Sequence, residues 1–157
     1  MVRMVTGVNI TTARSITGKC GISKQGDRAL VMDGQKFCPE VLDAQGNIIQ
    51  PPFDQIWPIL RVLARSLPKV NYTVVTGLMQ SNLMPQGSQA VTVTGDGSND
   101  APALKNVNVG FTMGISGTAV SKDASDIILM GDHFNSIVNV IKWGRNVDDF
   151  CAKFLQF

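Results

Sequence analysis

Ala90-Val91-Thr92-Val93 runs directly into Thr94-Gly95-Asp96-Gly97-Ser98-Asn99-Asp100-Ala101-Pro102. The first four residues are uncharged and partly β-branched, which predicts a buried strand. Pro102 falls in the first turn of a following helix, where a missing N–H costs little. A strand that ends in an acidic turn and opens a helix fits a parallel α/β sheet, whose chemistry sits at the carboxyl ends of its strands. Asp96 and Asp100 lie four residues apart, so both can face one crevice. The glycines flanking Asp96 let the backbone turn sharply and approach a ligand. Oxygen-only donors suit a hard cation such as Mg²⁺, and the helix N-terminus favours an anion beside it. The plain alternative is a turn built on Asn, Asp and Gly chemistry. An EF-hand is excluded, because its sixth position would be Ala101 and its twelfth Val107.

Outward from this stretch, strand-like runs alternate with helical patterns. Arg3–Val5 ends at Thr6-Gly7. A helical pattern covers Ile10 to Cys20, with Ala13, Ile16 and Cys20 on one face and Gly21 as its stop. Ala29–Met32 and Arg61–Ala64 read as strands, with a helix from about Val70 to Gln80 after the second. Residues 35–58, punctuated by Pro51-Pro52 and Pro58, read as an insertion or hairpin. Leu83–Ser88 reads as a loop, and Val107–Phe111 and Ile127–Met130 as further strands. The alternation predicts a mainly parallel, doubly wound, Rossmann-like sheet over residues 1–133. Residues 134–157 form the longest helical pattern, with Phe134, Ile137, Val138, Ile141, Val147, Cys151, Phe154 and Leu155 at spacings of three and four. Core packing is the expected use of that stripe, and also of Trp57 and Trp143. His133, just before the helix, is expected at the surface or in a cap.

Composition bounds the class. The 157 residues are 44% hydrophobic and 17% charged, which describes an ordered domain. A net charge of +2 with scattered basic residues argues against a nucleic-acid partner. Cys20, Cys38 and Cys151 are far apart and form no metal or disulfide spacing. No apolar run approaches the roughly 20 residues of a membrane helix. Gly18-Lys19-Cys20 does not complete a phosphate-binding loop, and Gly110 to Gly114 is too sparse for a dinucleotide fingerprint.

From Val93 to Leu104 the sequence closely resembles the hinge motif of P-type ATPases, within the haloacid-dehalogenase superfamily. The resemblance continues through Asn108–Thr118 and Ala124–Leu129. Trp143-Gly144-Arg145-Asn146-Val147 and Lys153-Phe154-Leu155-Gln156-Phe157 look like plasma-membrane calcium pumps, where the last segment leads toward a transmembrane helix. Met4–Gly7, Thr12–Arg14, Lys19–Ile22, Ile56–Pro58 and Leu63–Ser66 resemble the same family. The match implies an N-terminally truncated phosphorylation domain of an ATP-driven calcium pump, at the cytosolic face of the plasma membrane.

The resemblance also implies roles. Asp96 matches the Mg²⁺ ligand, with Asp100 and Asn99 supporting the metal and phosphate. Thr6 and Gly7 match the phosphate-binding pair, and Arg65 a contact near the nucleotide. ATP and Mg²⁺ are the parent family's ligands, and a calcium pump or its missing domains are the implied partners. Three departures stand against turnover. No Asp-Lys-Thr-Gly occurs, so the phosphorylated aspartate is absent. Val8 follows Gly7 where the family has Asp, and Asn71 stands where it has a phosphate-binding Lys, with Lys69 two residues away. The chain is therefore expected to be catalytically inactive alone. The alternatives are a non-catalytic module that binds an intact pump, a decayed gene product, and a soluble phosphatase, which would need an Asp-x-Asp pair that the first strand lacks.

Overall fold

The computed structural model describes residues 1–23, 29–83 and 90–156. Six strands and seven helices alternate among them. They are β1 (Met4–Val5), α1 (Ile10–Lys19), β2 (Leu30–Asp33), α2 (Gly34–Val41), α3 (Gln50–Ile56), β3 (Leu60–Ala64) and α4 (Pro68–Gln80). A second half follows with β4 (Thr92–Thr94), a 3-10 turn at Ser98–Asp100, α5 (Ala101–Asn106), β5 (Val109–Met113), α6 (Ala119–Ala124), β6 (Ile127–Leu129) and α7 (Ser136–Leu155). The loop expected at Leu83–Ser88 lies largely outside the described residues.

Every strand pairing is parallel, in keeping with the α/β expectation. The strands form two three-stranded sheets rather than one, ordered β1-β3-β2 and β4-β5-β6. Helix α4 packs on α5 and joins the halves. β3 is the central strand of the first sheet. Val62 and Ala64 pack with Ala13 of α1 on one face, while Leu60 and Leu63 join Phe37, Phe53, Trp57, Val70 and Val74 on the other. Burial on both faces explains why the strand continues past Arg61 as the apolar run Val62–Ala64.

Local chemistry sets the helix ends. Asn9 Oδ1 accepts a 2.8 Å hydrogen bond from the Thr12 N–H and caps α1, and Gly21 ends it at φ +71°. The buried face of α1 is Ala13 and Thr17; Ile16 and Cys20 are exposed, so the expected stripe is rotated by one position. Thr17 is admitted because its hydroxyl donates to the Ala13 carbonyl at 2.8 Å.

Three expectations need correction. Residues 35–58 hold two helices, with one antiparallel bridge, Leu42 to Ile48, in the loop between them. Pro51 starts α3 where its missing N–H costs nothing, and Phe37/Val41 and Phe53/Trp57 repeat at i, i+4 into the core. β4 is not buried: Thr92 and Thr94 are exposed and Val93 only half-covered, because one edge of the strand faces a cleft. α7 forms as expected, yet none of its residues is buried; Phe154 and Trp143 are 81% and 70% exposed. Its apolar stripe is not core. Trp57 does pack inside, with its indole N–H shared by Asp54 and Ser81.

Candidate functional site

The acidic turn is held from below. The Asp96 carbonyl accepts from the Thr118 N–H at 2.9 Å and from the buried Ser121 hydroxyl at 3.0 Å. Thr112 Oγ1, also buried, lies 3.1 Å from Ser121 Oγ. These bonds fix the backbone of Asp96 and leave its carboxylate exposed, without a side-chain hydrogen bond among the described residues.

Asp100 turns back over the loop. Its Oδ2 accepts from the Gly97 N–H at 3.3 Å. Gly95 is required for this return: a Cβ there would stand 2.5 Å from Asp100 Cβ. Asp100 Oδ1 accepts from Asn71 Nδ2 at 3.1 Å, and Asn71 Oδ1 accepts from Ser66 Oγ at 2.5 Å. The Ser66 N–H donates in turn to the Thr6 carbonyl at 2.9 Å. One hydrogen-bonded line thus joins the carboxyl ends of β1, β3 and β4, placing Thr6 and Asp100 on the same edge of the molecule.

The electrostatics of that line are uncompensated. Burial raises Asp100 above the usual carboxylate range, and the Asp96 charge pushes in the same direction. Hydrogen bonds from Gly97 and Asn71 oppose this without cancelling it. Asn71 offers a neutral amide where a cation would offset the charge. Lys69 does not substitute for it, since Lys69 Nζ lies beside Gly46 and its charge acts on Cys38.

The other expected residues are placed differently. Arg65 has a left-handed backbone, φ 48°, because its N–H reaches back to the Val8 carbonyl at 2.9 Å. Its guanidinium is drawn to Asp33 at 3.7 Å and is largely exposed. Gly7 and Asn99 are also exposed, and Asn99 makes no side-chain hydrogen bond among the described residues. Ser66 escaped the sequence reading, and Asn71 entered it only as a lost lysine. The available signal was position: Asn71 falls in the first turn of α4, right after the strand end that carries Ser66.

The donors suit a cation in part. Two adjacent carboxylates, one under-compensated, match the one or two that Mg²⁺ takes from protein, with water and phosphate completing the shell. Among the described residues no group of three or more His, Cys, Asp or Glu is placed to hold a metal ion. No helix among them is long and apolar enough to cross a membrane.

Known proteins resemble the chain over nearly its whole length. No protein-family model matches the chain. It is 54% identical over 156 residues to plasma membrane calcium-transporting ATPase 2 of Oreochromis mossambicus, covering 99% of this chain and 14% of that protein. Identity is also 54% to plasma membrane calcium-transporting ATPase 3 of Homo sapiens, of which the chain spans 13%. A zinc-transporting PIB-type ATPase superimposes with a TM-score of 0.61 at 25% identity, covering 94% of this chain and 17% of that one. A second structure of a zinc-transporting PIB-type ATPase, in a different state, superimposes over 57% of this chain and 14% of that one, with a TM-score of 0.50 and 33% identity. Sequence and fold together place the chain with the P-type ATPases, as a segment related to the plasma membrane calcium-transporting ATPases.

Proposed function

We propose that the chain is the cation- and phosphate-holding part of the phosphorylation domain of an ATP-driven calcium pump, and that it does not turn over by itself. The line from Thr6 through Ser66 and Asn71 to Asp100, beside the exposed carboxylate of Asp96, carries this reading. Asp96 and Asp100 would hold Mg²⁺, which offsets charge on a transferring phosphoryl group when bound. The Thr6-Gly7 turn would sit against the phosphate. Phosphoryl transfer in the family needs an aspartate that attacks the γ-phosphorus as the bond to ADP breaks, and no Asp-Lys-Thr-Gly is present to supply it. Replacement of a cationic side chain by Asn71 removes a second contribution, worth a few kcal/mol of transition-state stabilisation where such contacts are measured. On this reading the chain works with the remainder of a calcium pump, at the cytosolic face of the plasma membrane.

The test is a Mg²⁺ titration of the chain followed by amide NMR, alongside incubation with labelled ATP. Expected are Mg²⁺-dependent shifts at residues 95–100, lost in Asp96→Asn, and no hydroxylamine-sensitive phosphoenzyme. A phosphoenzyme, or Mg²⁺ shifts that survive Asp96→Asn unchanged, would overturn the proposal.

A further inference from the structure

Behind the acidic turn lies a cluster of buried hydroxyls. Ser121 of α6 and Thr112 of β5 have no exposure. Thr112 Oγ1 donates to Ser121 Oγ at 3.1 Å. Ser121 Oγ donates in turn to the Asp96 carbonyl at 3.0 Å, across 25 positions of sequence. The same proton faces the Thr118 carbonyl at 2.9 Å, so it is shared between the first turn of α6 and the distant loop. A serine that served only to finish α6 would need the second of these bonds and not the first.

The geometry of the peptide bond gives the first contact its consequence. The C=O of Asp96 and the N–H of Gly97 belong to one trans plane and point in opposite directions. The oxygen is held by Ser121 Oγ and by the Thr118 N–H at 2.9 Å. The N–H at the other end of the plane is thereby aimed at Asp100 Oδ2, to which it donates at 3.3 Å. Glycine on both sides of Asp96 offers little resistance to rotation of this plane, so hydrogen bonds must supply the restraint. Both anchors come from one place. Thr118 is the N-cap of α6, its Oγ1 accepts from the Ser121 N–H at 3.2 Å, and the two residues present their donors to the same oxygen.

We infer that Ser121 is a positioning residue for the cation site. By pinning the Asp96–Gly97 peptide plane it sets the direction of the Asp96 side chain and the place of the Asp100 carboxylate together. The inference rests on the cation reading and deepens it, because it names the buried group that prepares both carboxylates for Mg²⁺. Without the Ser121 hydroxyl the plane keeps one of its two anchors, and the carboxylates spread over several orientations. Groups that orient metal ligands are commonly worth about ten- to hundredfold in affinity, and with the Thr118 N–H still in place a loss of about three- to tenfold is expected.

The test compares the parent, Ser121→Ala, and Ser121→Ala combined with Thr112→Val, by Mg²⁺ titration with amide NMR, solvent exchange and urea unfolding. Ser121→Ala leaves the buried Thr112 hydroxyl without its acceptor and should lower stability; removing both hydroxyls should restore much of it. Mg²⁺ affinity should not follow stability. It should fall about three- to tenfold in Ser121→Ala and stay low in the double variant, with the Gly97 N–H exchanging faster in both. Recovery of affinity together with stability overturns the inference and leaves Ser121 a packing residue. Unchanged affinity in Ser121→Ala does the same. Should the variants not fold, the unaltered protein decides: Mg²⁺ should shift the Thr118 and Ser121 amides along with residues 95–100, and shifts confined to 95–100 overturn the inference. A parent with no Mg²⁺ response at all is a separate result, which refutes the cation reading itself and the role of Ser121 with it.

Discussion

Asp100→Asn should make the chain more stable at neutral pH, although it removes a charged group from the candidate site. Burial raises the Asp100 carboxyl in the folded state, with the Asp96 charge adding to it, and the bonds from Gly97 at 3.3 Å and Asn71 at 3.1 Å do not compensate. A carboxyl that holds its proton more tightly when folded favours folding most below its unfolded pKa. That advantage is lost as pH rises through the higher folded value. Above that window the ionised Asp100 is a burden. Asparagine keeps the acceptor for Asn71 and carries no charge; it gives up the bond from Gly97. Asp100 is only half-buried, so solvent screening holds the net gain to about 0.5–1 kcal/mol. For a chain of this size that corresponds to a rise in Tm of about 1–4 °C. The assay is urea or thermal unfolding of both proteins from pH 3 to 8. The curves should converge in acid and separate as Asp100 ionises. A variant less stable than the parent at pH 7 would refute the argument, because the two hydrogen bonds would then outweigh burial and repulsion.

Other substitutions probe neighbouring steps. Asn71→Lys should bring Asp100 back toward the ordinary carboxylate range by placing an ammonium within bonding reach, which carboxyl ¹³C titration would report; an unchanged or higher value refutes it. Gly95→Ala should cost about 1–3 kcal/mol, since its Cβ meets Asp100 Cβ at 2.5 Å, and should weaken any Mg²⁺ response of the loop. Phe53→Ala, at a side chain with no exposure, should cost about 3–5 kcal/mol in urea unfolding. Gly77→Ala should destabilise as well, despite alanine's better helix propensity, because the added methyl runs into the Phe53 ring. Arg65→Ala should stay within about 0.5 kcal/mol, as its pair with Asp33 is long and exposed.

The local grammar of the chain was legible without coordinates. The strand, acidic turn and helix around Asp96 follow from β-branching, glycine and a proline in the first helical turn, all short-range effects. So do the ends of α1 and the extent of α7, whose caps and periodicity are written in neighbouring residues. Residues 35–58 were less readable because prolines usually stop helices. Pro51 and Pro52 fall in the first turn of α3, Pro39 is tolerated inside the short α2, and Phe37 and Phe53 pack edge to face between the two helices.

Tertiary structure alone decided what covers each apolar face and which polar groups meet. Periodicity records that one side of α7 is apolar and is silent about a partner, so the stripe from Val138 to Leu155 could be exposed without any change of pattern. Likewise, β4 has the composition of an interior strand, but strand burial depends on a neighbour far away in sequence, and its outer edge has none among the described residues. Asn71 and Asp100 are separated by 29 positions and joined by one hydrogen bond. Propensities act over a few residues, whereas pairing of strand edges and side-chain networks depends on how the whole chain closes on itself.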